Sequence, residues 1–134
     1  MFLPFFFSLF SPPALPLASR PARSHARAAN ADVLTSGTTY AKFFAPWCGH
    51  CKNMAADWET LSNTIKDVTV AEVDCTQADA KALCTKYGVR GYPTLKLFKD
   101  GYVYNYNRPR KVNDWLDFVQ KDFYLQDNVE KTKL

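Results

Sequence analysis

The order in which two hydrophobic periodicities alternate restricts the fold more than any other feature of this chain. Residues 40–45 (YAKFFA) form a short apolar run that ends at a proline, which is typical of a buried strand. The apolar positions of the next segment follow helical spacing and predict a helix over about residues 48–65. Residues 68–74 (VTVAEVD) are rich in β-branched side chains and predict a second strand. A strand, a helix and a strand in this order indicate an α/β domain with parallel pairing.

The second half of the chain predicts a short helix, a hairpin and a terminal helix. Residues 76–88 begin with a capping-box pattern (TQAD) and end at a glycine, which predicts a short helix between them. Residues 94–99 and 102–106 predict two strands joined by a tight turn at residues 100–101 (DG). Helical spacing over residues 112–123 predicts an amphipathic helix. The whole order predicts a mixed central sheet with helices on both faces.

The beginning of the chain has the composition of a targeting segment. The apolar core in residues 1–17 is shorter than the ~20 residues of a membrane span and is interrupted by prolines. We expect residues 1–28 to be a secretory signal peptide that is cleaved after Ala18, Ala26 or Ala28. The Arg-bearing, acid-free stretch after the apolar core also resembles a transit peptide. Import into an organelle and a truncated start are therefore the alternatives.

The rest of the chain fits one nearly neutral domain. Three of the 17 basic residues lie in residues 1–31, which hold no acidic residue, so 14 basic groups remain against 13 acidic groups. This balance gives no basic footprint for nucleic acid, and no glycine-rich phosphate-binding motif occurs. We expect a domain over residues 29–124 and a flexible tail over residues 125–134. No second hydrophobic run follows the leader, so we expect no membrane contact in the mature form.

The tetrapeptide Cys48-Gly49-His50-Cys51 lies where the first predicted strand gives way to the first predicted helix. Two intervening residues place both sulfurs on one helical turn, within reach of a disulfide bond. Free N–H groups at a helix N-terminus favour a thiolate at Cys48, and a protonatable His50 adds to this effect. We expect Cys48 to attack and Cys51 to resolve the mixed disulfide. Trp47 is expected to form an apolar rim for the substrate.

An inert disulfide or half of a zinc site is the alternative interpretation of this cysteine pair. Zinc would need further ligands, and the chain offers only His25, His50, Cys75 and Cys84, with no second CxxC. An inert bridge at such a junction would be exposed and readily exchanged. We therefore expect no metal and no organic cofactor, because the cysteine pair itself carries the electrons.

Two separate motifs resemble the catalytic thioredoxin-like domains of the protein disulfide isomerase family. They are residues 45–52 (APWCGHCK) and residues 87–94 (YGVRGYPT), and the likeness covers roughly residues 38–123. The resemblance implies a thioredoxin-like α/β fold, with a mixed central sheet flanked by helices on both faces. Only residues 24–37 remain between the apolar leader and the strand at 40–45. The N-terminal strand of the family is therefore expected to be missing or shortened.

The same resemblance assigns roles to residues that composition cannot identify. It implies that Pro93 is a cis proline facing the active site, beside which an extended substrate segment pairs with the backbone. Tyr92, Pro93 and Thr94 thus become candidates for substrate binding. Arg110 precedes the terminal helix where the family has a mobile arginine that approaches the resolving cysteine. Arg108 is the rival for that role, and a solvated loop charge is the alternative.

Lys42 departs from the family, because many relatives bury an acidic residue at this position beneath the active site. A lysine could stabilise the Cys51 thiolate, or act as a base when neutral, and an ordinary surface lysine is the alternative. Residues 73–77 (VDCTQ) and Cys84 resemble the three-module members of the family in the endoplasmic reticulum, whose domains carry an extra cysteine pair. We expect Cys75 and Cys84 to form a structural disulfide, with free buried thiols as the alternative.

Taken together, the motifs predict a thiol–disulfide oxidoreductase and isomerase for folding secretory proteins. Its partners would be unfolded or disulfide-containing clients and an upstream thiol oxidase or glutathione. A non-catalytic chaperone module that only binds unfolded chains is the alternative. The endoplasmic reticulum lumen is the expected location, and secretion stays open because residues 131–134 (KTKL) are not a KDEL-type signal.

Overall fold

The computed structural model describes residues 24–25 and 28–134, so the predicted signal peptide lies almost entirely outside the described residues. No helix in the described part of the chain is long and apolar enough to cross a membrane. The described strands are β1 (Ser24–His25), β2 (Thr39–Phe44), β3 (Thr69–Asp74), β4 (Thr94–Lys99), β5 (Tyr102–Asn105) and β6 (Lys131–Lys133). The described α-helices are α1 (Gly49–Thr64), α2 (Lys81–Lys86) and α3 (Val112–Gln120), and 3₁₀ helices span Ala28–Leu34 and Phe123–Leu125.

The described strands form one mixed sheet in the order β1-β3-β2-β4-β5-β6. Strands β1, β3 and β2 are parallel, whereas β4, β5 and β6 pair in antiparallel fashion. The predicted mixed sheet is therefore confirmed, and the N-terminal strand is shortened to two residues. The predicted hairpin turn is also confirmed, because Asp100 and Gly101 have φ angles of 51° and 78°.

Alternation along β2 supplies a hydrophobic core on each face of the sheet. Tyr40 belongs to the core on one face of the strand, whereas Ala41 and Phe43 point to the opposite face and belong to the other core. Helices α1 and α3 cover the first face, and α2 with the 3₁₀ helix Ala28–Leu34 covers the second. The largest fully buried side chains of the first core are those of Tyr40, Trp58, Leu61, Leu97, Trp115 and Phe118.

Helix α2 begins later than the capping-box pattern predicted. The carboxylate of Asp74 accepts hydrogen bonds from the backbone N and the hydroxyl of Thr76, at 2.9 and 2.6 Å. These bonds hold the following residues in turns, and α2 starts only at Lys81, after Ala80, which makes no side-chain capping bond. The predicted helix end is confirmed, since Gly88 follows α2 with a φ of 66°.

The expected flexible tail also differs from the structure. Strand β6 pairs with β5, and the backbone N–H of Leu134 donates to the carbonyl of Gly101 at 2.8 Å. Without β6, the outer edge of β5 would present unpaired peptide groups. All three side chains of β6 are exposed, which explains why no hydrophobic period marked the strand in the sequence.

Candidate active site

The two cysteines of the CGHC motif are joined in a disulfide at the amino end of α1, with a Cα–Cα distance of 5.2 Å. Cys48 is the N-cap residue and has extended backbone angles, φ −72° and ψ 118°. Its sulfur accepts a hydrogen bond from the backbone N–H of Cys51 at 3.2 Å. The Cys48 sulfur thus meets a donor and the positive end of the helix dipole, and both favour a thiolate after reduction.

Both cysteines are enclosed in the disulfide form, which is more than the sequence predicted for the attacking residue. Cys48 is 6% exposed and Cys51 is 4% exposed, because Ala45 and the side chains of Phe44 and Tyr92 pack around the bridge. Cys48 nevertheless lines an open surface groove, whereas Cys51 is not among the residues that line it. Of the two sulfurs, that of Cys48 therefore belongs to the residue that borders the surface groove.

An aromatic pair borders this active-site groove, which has a volume of about 480 Å³. Trp47 is 69% exposed, and its ring meets that of Tyr92 edge to face at 5.8 Å between centroids. His50 is exposed and lines the groove as well. The structure thus brings Trp47, Cys48, Gly49, His50 and Tyr92 together. It adds Arg90, which the sequence analysis missed.

The Tyr92–Pro93 peptide bond is cis, as the family resemblance predicted. The hydroxyl of Thr94 donates to the carbonyl of Gly91 at 2.7 Å and closes a tight loop around this bond. Pro93 and Thr94 do not line the active-site groove itself. They line a second groove beside it, together with Gly91.

Lys42 is buried and paired, so the alternative of an ordinary surface lysine is wrong. Its ammonium group lies 2.8 Å from the carboxylate of Glu72, the residue opposite it in the pairing of β2 with β3. Lys42 and Glu72 are only 3% and 6% exposed. The ammonium also lies 5.4 Å from the ring centre of Trp58, a residue of α1. The pair therefore sits beneath the helix that carries Cys51.

Glu72 was missed by the sequence analysis, although a signal existed. Lys42 and Glu72 are each a charged residue flanked on both sides by apolar residues within a predicted strand. A charge buried at such a position needs a partner of opposite charge. The second predicted strand, parallel to the first, offers Glu72 as that partner.

Arg108 and Arg110 lie outside the active-site groove and line the second groove. Arg110 is exposed and has no hydrogen-bond or ion-pair partner among the described residues. Arg108 donates to the side chain of Gln126, and its guanidinium lies 5.2 Å from the ring centre of Phe123. Of the two, Arg110 is thus the one whose side chain is not held by neighbours.

Cys75 and Cys84 are joined in a second disulfide, with a Cα–Cα distance of 5.9 Å. This bridge connects the residue after β3 to α2 and is buried in the core on the second face of the sheet. The CGHC disulfide packs in a separate cluster. Within residues 24–25 and 28–134, no group of three or more His, Cys, Asp or Glu could hold a metal ion.

Fold and site together define a class. A buried strand delivers a Cys-x-x-Cys pair to a helix N-terminus, on a mixed sheet that also presents a cis proline loop, and this is the arrangement of a thioredoxin-like domain. The Thioredoxin family model matches residues 24–121. The chain belongs to the thioredoxin family, and its relatives identify it as a thioredoxin-like module of the protein disulfide isomerase type.

Those relatives include protein disulfide-isomerase 1 of Dictyostelium discoideum, which is 45% identical over 78% of this chain and 30% of its own length. The protein disulfide-isomerase-like protein EhSep2 of Emiliania huxleyi is 45% identical over 67% of this chain and 43% of its own length. Among solved structures, the first thioredoxin domain of mouse protein disulfide-isomerase A4 has a TM-score of 0.65 and 33% identity, covering 77% of this chain and 76% of that domain. The chain thus spans less than half the length of the two curated relatives.

Proposed function

We propose that this domain is a thiol–disulfide oxidoreductase and isomerase that forms, reduces and rearranges disulfides in folding secretory proteins. The observation that carries the proposal is the position of the Cys48–Cys51 pair at the amino end of α1, with Cys48 facing an open groove. A helix N-terminus lowers the pKa of a cysteine thiol, and the thiolate is the attacking species.

The two cysteines supply both of the electrons that reduce a client disulfide. The Cys48 thiolate attacks one sulfur of a client disulfide, a mixed disulfide forms, and the other client sulfur leaves as a thiolate. Cys51 then attacks the Cys48 sulfur and releases the second client thiol. Two electrons have passed from the domain to the client, and the reverse sequence oxidises a client dithiol. When the freed client thiolate instead attacks a different client disulfide, the thiolate displaced there attacks the client sulfur bound to Cys48, and Cys48 leaves as a thiolate. The client disulfides are then rearranged with no net change in oxidation state, which is isomerisation.

Four neighbouring residues are proposed to bind the client. The exposed Trp47 ring and the Tyr92 ring against it offer an apolar surface at the mouth of the groove. Pro93 and Thr94 belong to the cis proline loop, beside which an extended client segment would pair. These contacts would hold the client disulfide in line with the Cys48 sulfur.

Lys42 and Arg110 are proposed to serve the resolving step. The Lys42–Glu72 pair lies beneath α1 and offers both a cation for the Cys51 thiolate and a carboxylate for its proton. Arg110 has no partner among the described residues, which suits a side chain that moves toward Cys51 during release.

The cellular setting is proposed from the predicted signal peptide and from the chemistry. Residues 1–28 would direct the domain to the endoplasmic reticulum lumen, with secretion as the other outcome. An upstream thiol oxidase or glutathione would exchange electrons with the Cys48–Cys51 pair. The alternative function is a non-catalytic module that binds unfolded chains through the aromatic rim.

Substitution of the two active-site cysteines separates these functions. Cys48→Ser should abolish insulin reduction and the reactivation of scrambled ribonuclease, because the attacking sulfur is lost. Cys51→Ala should instead accumulate mixed disulfides with clients, visible on non-reducing gels. Wild-type protein that suppresses aggregation of an unfolded client but reduces no insulin would establish the non-catalytic alternative.

A further inference from the structure

A second groove of about 680 Å³ continues from the active-site groove. Arg90 and Gly91 line both grooves, so the two grooves adjoin at these residues. Pro93 and Thr94 line the second groove, as does the loop segment 107–110. A polypeptide held at Cys48 can therefore extend directly into it. We call this second cleft the basic groove.

The charged side chains that line the basic groove are all positive. Four cationic side chains line the groove, and no Asp or Glu is among its described lining residues. This contrasts with the chain as a whole, whose 17 basic residues face 13 acidic ones. The cationic residues are Arg90, Lys96, Arg108 and Arg110.

Two of these cations are positioned without being neutralised by a carboxylate. Lys96 donates to the side-chain oxygen of Asn105 at 2.6 Å, and burial lowers the pKa of Lys96 while the more distant Glu130 partly opposes this shift. Arg108 donates to the neutral side chain of Gln126. An anion in the groove would thus pair with cationic side chains that are already fixed in position. Its binding would cost little side-chain entropy for that reason.

The other two cations are unsatisfied. Arg90 and Arg110 are exposed, and neither has a hydrogen-bond or ion-pair partner among the described residues. Arginine is well suited to a carboxylate, because its planar donors can bind both carboxylate oxygens. The groove therefore offers two unpaired guanidinium groups, one beside the cis proline loop at Arg90 and one in the loop between β5 and α3 at Arg110.

We propose that the basic groove binds an acidic segment of the client polypeptide, adjacent to the cysteine that exchanges with Cys48. The inference rests on the proposed function and adds the substrate class: clients with Asp or Glu beside the reacting cysteine. The position of the basic groove next to the active-site groove favours a polypeptide over a free small anion, because only a chain attached at Cys48 can occupy both grooves at once.

The test compares two peptides with the reduced full chain. Each contains one cysteine in a disulfide with 2-mercaptoethanol, flanked on both sides by two Glu or by two Gln. In each reaction the domain is oxidised and the peptide thiol and 2-mercaptoethanol are released. The acidic peptide should react roughly 5-fold faster at low ionic strength, and salt at about 0.5 M should remove most of this preference.

Variants separate the groove from the general positive charge of the chain. Arg108→Gln and Arg110→Gln should each lower the ratio of acidic to neutral rate by roughly 2-fold or more, and Arg108→Lys should retain most of it. Lys66→Gln is the matched control with the same change in net charge. Lys66 is exposed after the carboxyl end of α1, at the opposite end of that helix from Cys48. A catalytic role of Arg110 would not change the ratio of acidic to neutral rate, because loss of that role would lower the reaction rates of both peptides equally.

Equal rates for the two wild-type peptides would overturn the inference and leave the proposed function standing. An equal fall of the ratio in Lys66→Gln would overturn it too, because the preference would then reflect net charge. Failure of the wild-type domain to react with either peptide would instead refute the proposed function.

Discussion

A buried ion pair is costly to break even when it adds little to stability. Lys42 and Glu72 are both removed from water and depend on one another across β2 and β3. Desolvation offsets much of their attraction, so the pair is better understood as a positioned charge beneath α1 than as a source of stability. Its neighbours Phe44 and Trp58 are aromatic, with ring centres 5.1 and 5.4 Å from the ammonium.

Removal of one partner should therefore destabilise the domain. Glu72→Leu leaves the buried Lys42 ammonium without the carboxylate that pairs with it, and the free energy of unfolding in urea should fall by about 3–5 kcal/mol. The double variant Lys42→Met/Glu72→Leu should recover most of that loss, because no charge stays buried without its partner. A double variant that is as unstable as the single one would contradict this account of the pair.

The sequence could locate these residues only in part. Lys42 was recognisable because it interrupts an apolar strand, at a position where the family resemblance leads one to expect an acid. Its pairing with Glu72 depends on the register between β2 and β3, which the sequence does not contain. The enclosure of Cys48 was not predicted either, since it arises from Phe44 and Tyr92, which close over the disulfide from different parts of the chain.

The second disulfide acts at the level of elements, because it ties α2 to the end of β3. Changing both Cys75 and Cys84 to Ser should lower the free energy of unfolding by roughly 2–3 kcal/mol, as expected for closing a loop of this length. Turnover of insulin should persist at temperatures where the variant stays folded, because the two disulfides lie in different clusters. Lost turnover in a folded variant would indicate a redox role for this pair.

Strand β6 covers the edge of β5 without contributing buried side chains. A chain that ends at Val129 should lose only about 1 kcal/mol of stability, since the lost backbone bonds are replaced by water. It should also self-associate more, measured by light scattering, because the β5 edge is left open.

The full chain with Lys131→Gln and Lys133→Gln is the control for this truncation. It keeps the strand and removes its charges. Self-association of the control to the same extent would assign the effect to the lost lysines, and would contradict a role for β6 in covering the edge.

Elements with a buried face were the ones that periodicity predicted well. β2, α1, β4 and α3 each place regular apolar positions against the sheet or its helices, so their pattern survives in the sequence. The start of α2 was misplaced because hydrogen bonds donated by Thr76 to the Asp74 carboxylate compete with helix formation. β6 was missed because its pairing uses only backbone groups.

At the scale of the whole molecule, the two large cores hold the helices in place, and the reactive disulfide packs apart from them. The core under α1 and α3 fixes the position of the active-site helix, while the second core holds α2 and the structural disulfide. The CGHC disulfide packs in a third, smaller cluster, which shares only Tyr92 with the second core and no residue with the first. Exchange at this bridge therefore need not disturb the two larger cores.

This arrangement bears on the redox equilibrium of the entire domain. Reduction places a negative charge on Cys48 at the amino end of α1, where the dipole and the N–H of Cys51 stabilise it. Stabilisation of the reduced form makes the disulfide more oxidising. Equilibration with glutathione buffers, followed by acid quenching and alkylation, should give a potential of about −180 mV, in the range of protein disulfide isomerase. A potential of about −270 mV, as in thioredoxin, would show that the helix end does not favour the thiolate enough, and would assign the domain to reduction rather than to oxidation and isomerisation.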